Sequence, residues 1–400
     1  MPWLALHLRA FILRLSVFFD MPRGYRLGGT GDEAVERYGG GHMERFGFVG
    51  LPNAGKSSLF NALSRGSALA AAYPFATVDP NVGMARVPDS RLDRLAAMSR
   101  SQKVVPATVE FVDIGGLVEG ASTGEGLGNR FLAHIREVDA VVFVLRAFTD
   151  ADVMGPTDPL EHLGTVETEL ALADLASIEG RVERHRKASR LDKTLVPEVE
   201  ALDAALACLS EGTPLYRSGL SAEVRALLAP WFLLTNKPVL VVVNIGDDQL
   251  DDAEALTKPV VDAFGPGVEV LPICVQLEAE AAQLAPEEHA EMLAELGLGE
   301  GALPRLLRSA YAALGRRTFF TTGEKESRAW TFRAGAKAPE CAGVIHTDFQ
   351  RGFIKAECVR WDELLELGSW SAARDVGKLR IEGKDYEVAD GDVMEFRFNV

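Results

Sequence analysis

The chain has 400 residues, 47% of them apolar, and a formal net charge of −16 at pH 7. That length holds two or three cores of ordinary domain size, while the acidity argues against general adhesion to nucleic acid. Cys208, Cys274, Cys341 and Cys358 form no CxxC pair, so neither a zinc site nor a disulfide framework is indicated and a reducing cytoplasm is the expected compartment.

In chain order, residues 1–42 come first as an apolar, basic stretch. Arg9 and Arg14 interrupt a run already too short to span a bilayer, no cleavage site is evident, and no membrane segment is expected. The stretch is expected to be a disordered extension or an upstream start ahead of Met43, with the Gly-rich RYGGGHM as linker. From Met43, short apolar runs at 46–49, 109–112, 140–145, 239–243 and 268–274 alternate with helical stretches. Apolar on both faces, these runs predict buried strands of a mostly parallel sheet with crossover helices.

Between the third and fourth runs the texture changes. Ala171, Leu175, Ile178, Val182 and His185 are spaced four and three apart, and Leu195, Val199, Leu202, Leu206 and Leu209 repeat the rhythm. Two helices with a heptad seam follow, separated by the polar stretch 186–194, as an antiparallel hairpin inserted into the sheet domain. Its tip is the most basic window of the chain, 181–193, with six Lys/Arg against two acids. That window is either an RNA phosphate contact or a solvated turn. Beyond Arg316, short strands and turns predict a small β-rich module. The resulting partition is 1–42, an extension; 43–163 and 233–315, the two parts of the sheet domain; 164–232, the helical insertion; and 316–400, the C-terminal domain.

GLPNAGKS at 50–57 fits GxxxxGK[ST] between a strand and a helix, the context that this phosphate-cradling loop requires. Its glycines let backbone N–H groups curl around phosphate, Lys56 reaches the β and γ oxygens, and Ser57 ligates Mg²⁺. FVDIGG at 111–116 places Asp113 behind the metal and the Gly116 N–H at the γ-phosphate, and Thr77, between the two motifs, offers a hydroxyl to both. Leu117 stands where many GTPases orient water with Gln, so unassisted turnover should be slow. Asn53 could hold a K⁺ ion against the phosphates or simply shape the loop. His134 is more readily a helix-surface residue than a base.

With these motifs assembled, the chain resembles the YchF family, the Obg-like ATPases, from Met43 to Val400. The resemblance rests on GLPNAGKSSLFNAL, YPFATVDPNVG, FVDIGGLVEGAS, TELALADL, FFTTGEKESRAWTF and EGKDYEVADGDVMEFRFNV. It implies an α/β P-loop NTPase with a helical insertion and a C-terminal TGS domain of β-grasp type. It further implies phosphate contacts from Asn53, Ala54, Gly55, Lys56, Ser57 and Ser58, Mg²⁺ at Ser57 and Thr77 with Asp113 behind, and catalysis through Lys56, Thr77 and Gly116. The expected activity is slow ATP hydrolysis as a molecular switch, with the ribosome as partner in translation or stress regulation. RNA contact would run through 181–193 and the TGS domain. The alternatives are a GTPase and a nucleotide-dependent binding module.

Family members read the base with NxxE. Here Asn244 matches, Ile245 replaces the lysine of guanine-binding proteins and is expected to leave an apolar shelf, and Asp247 is one methylene shorter than the family's Glu. Cys274 opens CVQLE, where a backbone N–H is expected at the base. TNKP at 235–238 is a decoy, with Val239 in the acidic position. The loop after residue 145 lacks the family's His.

Overall fold

The computed structural model describes residues 44–68, 82–114, 127–150 and 153–399. The 1–42 extension, Thr77, Gly116 and Leu117 lie outside the described residues. The chain falls into two units that meet between residues 41 and 42, and all that follows concerns the second.

Two six-stranded sheets organise that unit. The first has the order β2-β4-β1-β5-β6-β7, with β1 Arg45–Val49, β2 Val82–Arg86, β4 Thr108–Asp113, β5 Ala140–Arg146, β6 Val239–Asn244 and β7 Val270–Ile273. All its pairings are parallel except β2 with β4. Every residue of β5 and β6 is buried. Two-sided burial explains their unbroken β-branched runs. The edge strand β2, absent from the sequence-based strands, buries only Ala85, so no alternation betrays it.

The second sheet has the order β11-β10-β12-β8-β9-β3. It comprises β8 Arg316–Thr321, β9 Glu326–Arg333, β10 Phe353–Arg360, β11 Arg380–Glu382, β12 Asp392–Phe398 and, from far upstream, β3 Lys103–Val105. β3 pairs in parallel with β9. On one face, helix Ala338–Ile345 closes a core over Phe319, Phe332, Ala356, Met394 and Phe396. On the other, Phe320, Ala329, Val359 and Val393 share a single core with Leu92 and Leu95 of helix Ser90–Ser99 and with the underside of the first sheet. Full burial of each such side chain contributes about 1.5–3 kcal/mol. The Arg316–Glu44 pair at 2.6 Å, with Glu44 4% exposed, and the Arg91–Asp390 pair at 2.7 Å tie the same seam.

The insertion is a helical hairpin. Helix Pro159–Leu191 starts under an Asp158 cap and helix Val196–Ser210 returns beside it, joined by the turn Lys193–Leu195. Ala171, Ile178 and Val182 meet Leu202, Ala205 and Leu209 in one core. The polar stretch 186–194 separates the helices as expected, but only over its last three residues, 192–194. Residues 186–191 are helical, because Arg, Lys and Ala are good helix formers, and the chain turns only at Asp192, whose carboxylate caps Thr194.

The hairpin's base hangs on Asp174. Its fully buried carboxylate accepts from the Leu234 and Thr235 amides, both at 2.8 Å, and from the Thr235 hydroxyl at 2.7 Å. Burial raises its pKa against the pull of those donors. Asp174→Ala strands three buried donors and is expected to destabilise by about 3–5 kcal/mol. Thermal and urea denaturation check this; a shift below about 1 kcal/mol would show that Asp174 does not anchor the insertion.

Candidate nucleotide site

The site lies at the C-terminal ends of β1, β4, β5 and β6, the side on which open parallel sheets bind ligands. After β1 the chain enters the phosphate loop at a point with no room for a side chain: a Cβ on Gly50 would stand 2.4 Å from the Val144 carbonyl oxygen. Asn53 and Gly55 both take left-handed conformations, φ 61° and 99°, which turn the loop back on itself. Such alternation aims successive N–H groups into one concavity. Helix Lys56–Ala68 then begins, presenting its N-terminus to the same space.

Lys56 is only 5% exposed, and its Nζ donates to the Leu51 carbonyl at 2.7 Å. Burial lowers its pKa to about 8, against the opposing pull of Asp113. Ser57 Oγ donates to Asp113 Oδ2 at 2.6 Å, while the buried Asp113 Oδ1 has no hydrogen-bond partner among the described residues. A hydroxyl touching a carboxylate with an orphaned oxygen fits a hard divalent cation. Among the described residues no group of three or more His, Cys, Asp or Glu could cage a metal. Phosphate oxygens and water would have to complete the shell, as Mg²⁺ prefers. Ala54 is buried; Asn53, Ser57 and Ser58 are exposed on the rim.

Asn244 joins the phosphate side to the base side. Its Nδ2 donates to the Ala54 carbonyl at 3.0 Å, and its Oδ1 accepts from the Val275 N–H at 3.2 Å. A carboxamide has two N–H and two lone pairs, and these two bonds use one of each. Cys274, 6% exposed with its thiol pKa pushed up by burial, stands at the N-terminus of helix Val275–Ala281 without a side-chain capping bond. Asp247 is exposed, and its Oδ1 accepts from the Asp248 N–H at 3.0 Å.

Ile245 departs from expectation. Its N–H bonds the Ile273 carbonyl at 3.0 Å, continuing the sheet beyond Asn244, and this pairing turns the side chain into the core, where 3% is exposed. It is a packing residue and offers no free shelf in this conformation. TNKP lies at the far end of β6: Lys237 Nζ reaches the Arg136 and Val138 carbonyls, and Asn236 bonds Arg225. His134 is exposed on a helix that buries Phe131, Leu132 and Ile135 instead.

The sequence reading missed Arg146, His162 and Gln249, all near the site. Arg146 is 1% exposed at the end of an otherwise apolar strand, and a charge in that position was the available signal. His162 bonds the Pro156 carbonyl at 2.8 Å, and its pKa is lowered by burial and, to a lesser degree, by Arg146 and Lys56.

A loop of this shape, on a mostly parallel sheet with a hydroxyl and a carboxylate touching beneath it, defines a P-loop nucleoside triphosphatase. Comparisons with known proteins narrow the class. A profile described as 50S ribosome-binding GTPase matches residues 45–165, and YchF-GTPase_C, described as a protein of unknown function (DUF933), matches 317–399. The ribosome-binding ATPase YchF of Bacillus subtilis is 47% identical over 361 residues, covering 88% of this chain and 99% of its own. Obg-like ATPase 1 of Oryza sativa is 39% identical, covering 89% and 92%. The Schizosaccharomyces pombe YchF GTPase structure superposes with a TM-score of 0.80 at 35% identity, covering 89% of this chain and 98% of that one. The chain belongs to the YchF family of Obg-like ATPases.

Proposed function

We propose that the protein is a slow, Mg²⁺-dependent ATPase that associates with the ribosome as a cytoplasmic molecular switch in translation or stress regulation. The observation that carries the nucleotide chemistry is the Ser57–Asp113 contact, with its orphaned carboxylate oxygen beside the buried Lys56. Mg²⁺ would supply charge neutralisation between the β and γ phosphates when bound. Ser57 would ligate it directly, Asp113 would hold its water shell, and the loop from Asn53 to Ser58 would cradle phosphate. Thr77 and Gly116 are assigned the γ-phosphate by the same family logic, and Leu117 in place of Gln accounts for slowness. Asn53, on the exposed rim, is the assigned K⁺ ligand.

The names of the relatives, ribosome-binding ATPases, support both ATP and the partner. On this chain the hairpin tip presents Arg184, Lys187, Arg190 and Lys193 to solvent, whereas Arg186 is held by Asp203 and Glu183. That tip and the TGS domain are the proposed RNA contacts. Among the described residues no helix is long and apolar enough to cross a membrane.

The second reading, a GTPase, rests on Asp247, a carboxylate at the length that guanine recognition uses. Calorimetric titration with ATP and GTP, Mg²⁺ present, separates the two: ATP is expected to bind tighter, and GTP binding tenfold tighter, about 1.4 kcal/mol, would reverse the assignment. Co-sedimentation with ribosomal subunits should respond to a non-hydrolysable ATP analogue; the same association with and without it would remove the switch.

A further inference from the structure

The turn that presents Asp247 is fastened by a clip that neither the phosphate loop nor the Asn–Asp motif contains. Arg146 and Asn244 face each other where β5 and β6 end. The Ala147 and Phe148 N–H groups both donate to the Asn244 carbonyl, at 2.8 and 3.1 Å. Gln249 closes the circuit: its Nε2 donates to the Ala147 carbonyl at 3.2 Å, and its Oε1 accepts from the Gly246 N–H at 2.8 Å. One carboxamide thus ties the residue before Asp247 to the loop after β5. That loop is in turn fixed by Arg146, whose guanidinium donates to the Phe148, Met154 and Val153 carbonyls at 3.1–3.2 Å and lies 4.6 Å from the Phe148 ring. All three of these acceptors are backbone oxygens, so the buried cation fixes the path of the chain at Phe148, Val153 and Met154.

The consequence falls on Asp247. With Gly246 clipped, Asp247 opens the 3₁₀ turn Asp247–Asp252, and its Oδ1 is engaged by the Asp248 N–H within that turn. Guanine pairs its N1–H and exocyclic amine with the two oxygens of such a carboxylate side by side, and the Asp248 bond orients one of them, Oδ1, into the turn; adenine presents no such pair of donors. We infer that Gln249, braced by Arg146, is a positioning residue that disfavours guanine nucleotides by holding Asp247 in its own turn. This rests on the site reading given above and adds to it the group that sets purine selectivity.

The test is the ratio of GTP to ATP dissociation constants, measured with Mg²⁺ for the parent chain, Gln249→Leu and Gln249→Glu. Gln249→Leu removes both bonds and should narrow the ratio by about tenfold. Gln249→Glu keeps the acceptor for Gly246 while setting a carboxylate against the Ala147 carbonyl, so it should fall between. A merely structural Gln249 would weaken both nucleotides alike and leave the ratio within twofold of the parent; that result overturns the inference, as does a parent chain that prefers GTP. Should Gln249→Leu fail to fold, the comparison rests on Gln249→Glu, for which an unchanged ratio overturns it equally. A parent chain that binds neither nucleotide defeats the proposed function itself, which is a different result from nucleotide binding with an unmoved ratio.

Discussion

Lys56→Ala should hydrolyse ATP about 10²–10³-fold more slowly than the parent chain, while the nucleotide-free protein melts no earlier. The first half follows from the position of Lys56 at the mouth of the helix, beside Ser57 and Asp113, where no other described cation takes its place. The second follows from burial. Only 5% exposed, hydrogen-bonded to the Leu51 carbonyl and drawn less strongly to Asp113 than burial disfavours its charge, Lys56 costs folding energy that a phosphate would offset. Its folded pKa, about 8, lies below the ordinary 10.5, so between those values the unfolded chain binds more protons and stability rises with pH. Lys56→Met, which fills the same space without charge, should abolish that rise. Bound triphosphate restores the charged form, so binding at pH 8.5 should take up protons. Calorimetry in two buffers of different ionisation enthalpy measures the uptake, and Lys56→Met should lack it. Parent-level hydrolysis in Lys56→Ala would sink the hydrolase reading; a collapse of the fold would make the nucleotide loop a structural element first.

What the sequence showed and what it hid divide along a physical line. β4 alternates, with only Val109 and Phe111 buried, but β1, β5, β6 and β7 were legible because burial on both faces demands apolar runs, as Val239 to Val243 illustrates. β2 and β3 were not. One is an edge strand with a single buried residue, and the other is three residues long with Val104 43% exposed, held by pairing to a partner more than 200 positions away. Non-local pairing overrides local propensity. The hairpin showed in its four-three spacing, but its turn was drawn too long, because exposed polar residues do not end a helix; the cap at Asp192 does.

The site divides in the same way. Phosphate binding needs particular residues at fixed intervals, so Gly50 to Ser57 announced it. The base side is built from side chains bonded to carbonyls, which every residue carries, so nothing in the spelling of Gln249 or Arg146 marks them. Ile245 shows a related limit: the sequence shows that a lysine is missing, but not that the Ile245 N–H bonds the neighbouring strand's end and the side chain packs inward.

That dependence of the base side on the phosphate loop makes Gly55 the most sensitive position in the site. Gly55→Ala is expected to lower ATP affinity by about 10²-fold and to destabilise the nucleotide-free protein as well. Two effects combine. Alanine at φ 99° costs about 1–3 kcal/mol of backbone strain. Its Cβ would also stand 2.3 Å from Asn244 Nδ2, a group that cannot swing away, because the carboxamide is 5% exposed and held at both ends by Ala54 and Val275. Either the loop moves off the phosphates or the Asn244–Ala54 bond breaks, leaving buried polar atoms unpaired at about 1–3 kcal/mol. A double-mutant cycle separates strain from collision. Asn244→Ala removes the obstructing amide, so Gly55→Ala should cost less in that background than in the parent, with only the strain remaining. Additive losses would mean that the two residues do not touch energetically, and that the coupling of phosphate loop to base loop through Asn244 is absent.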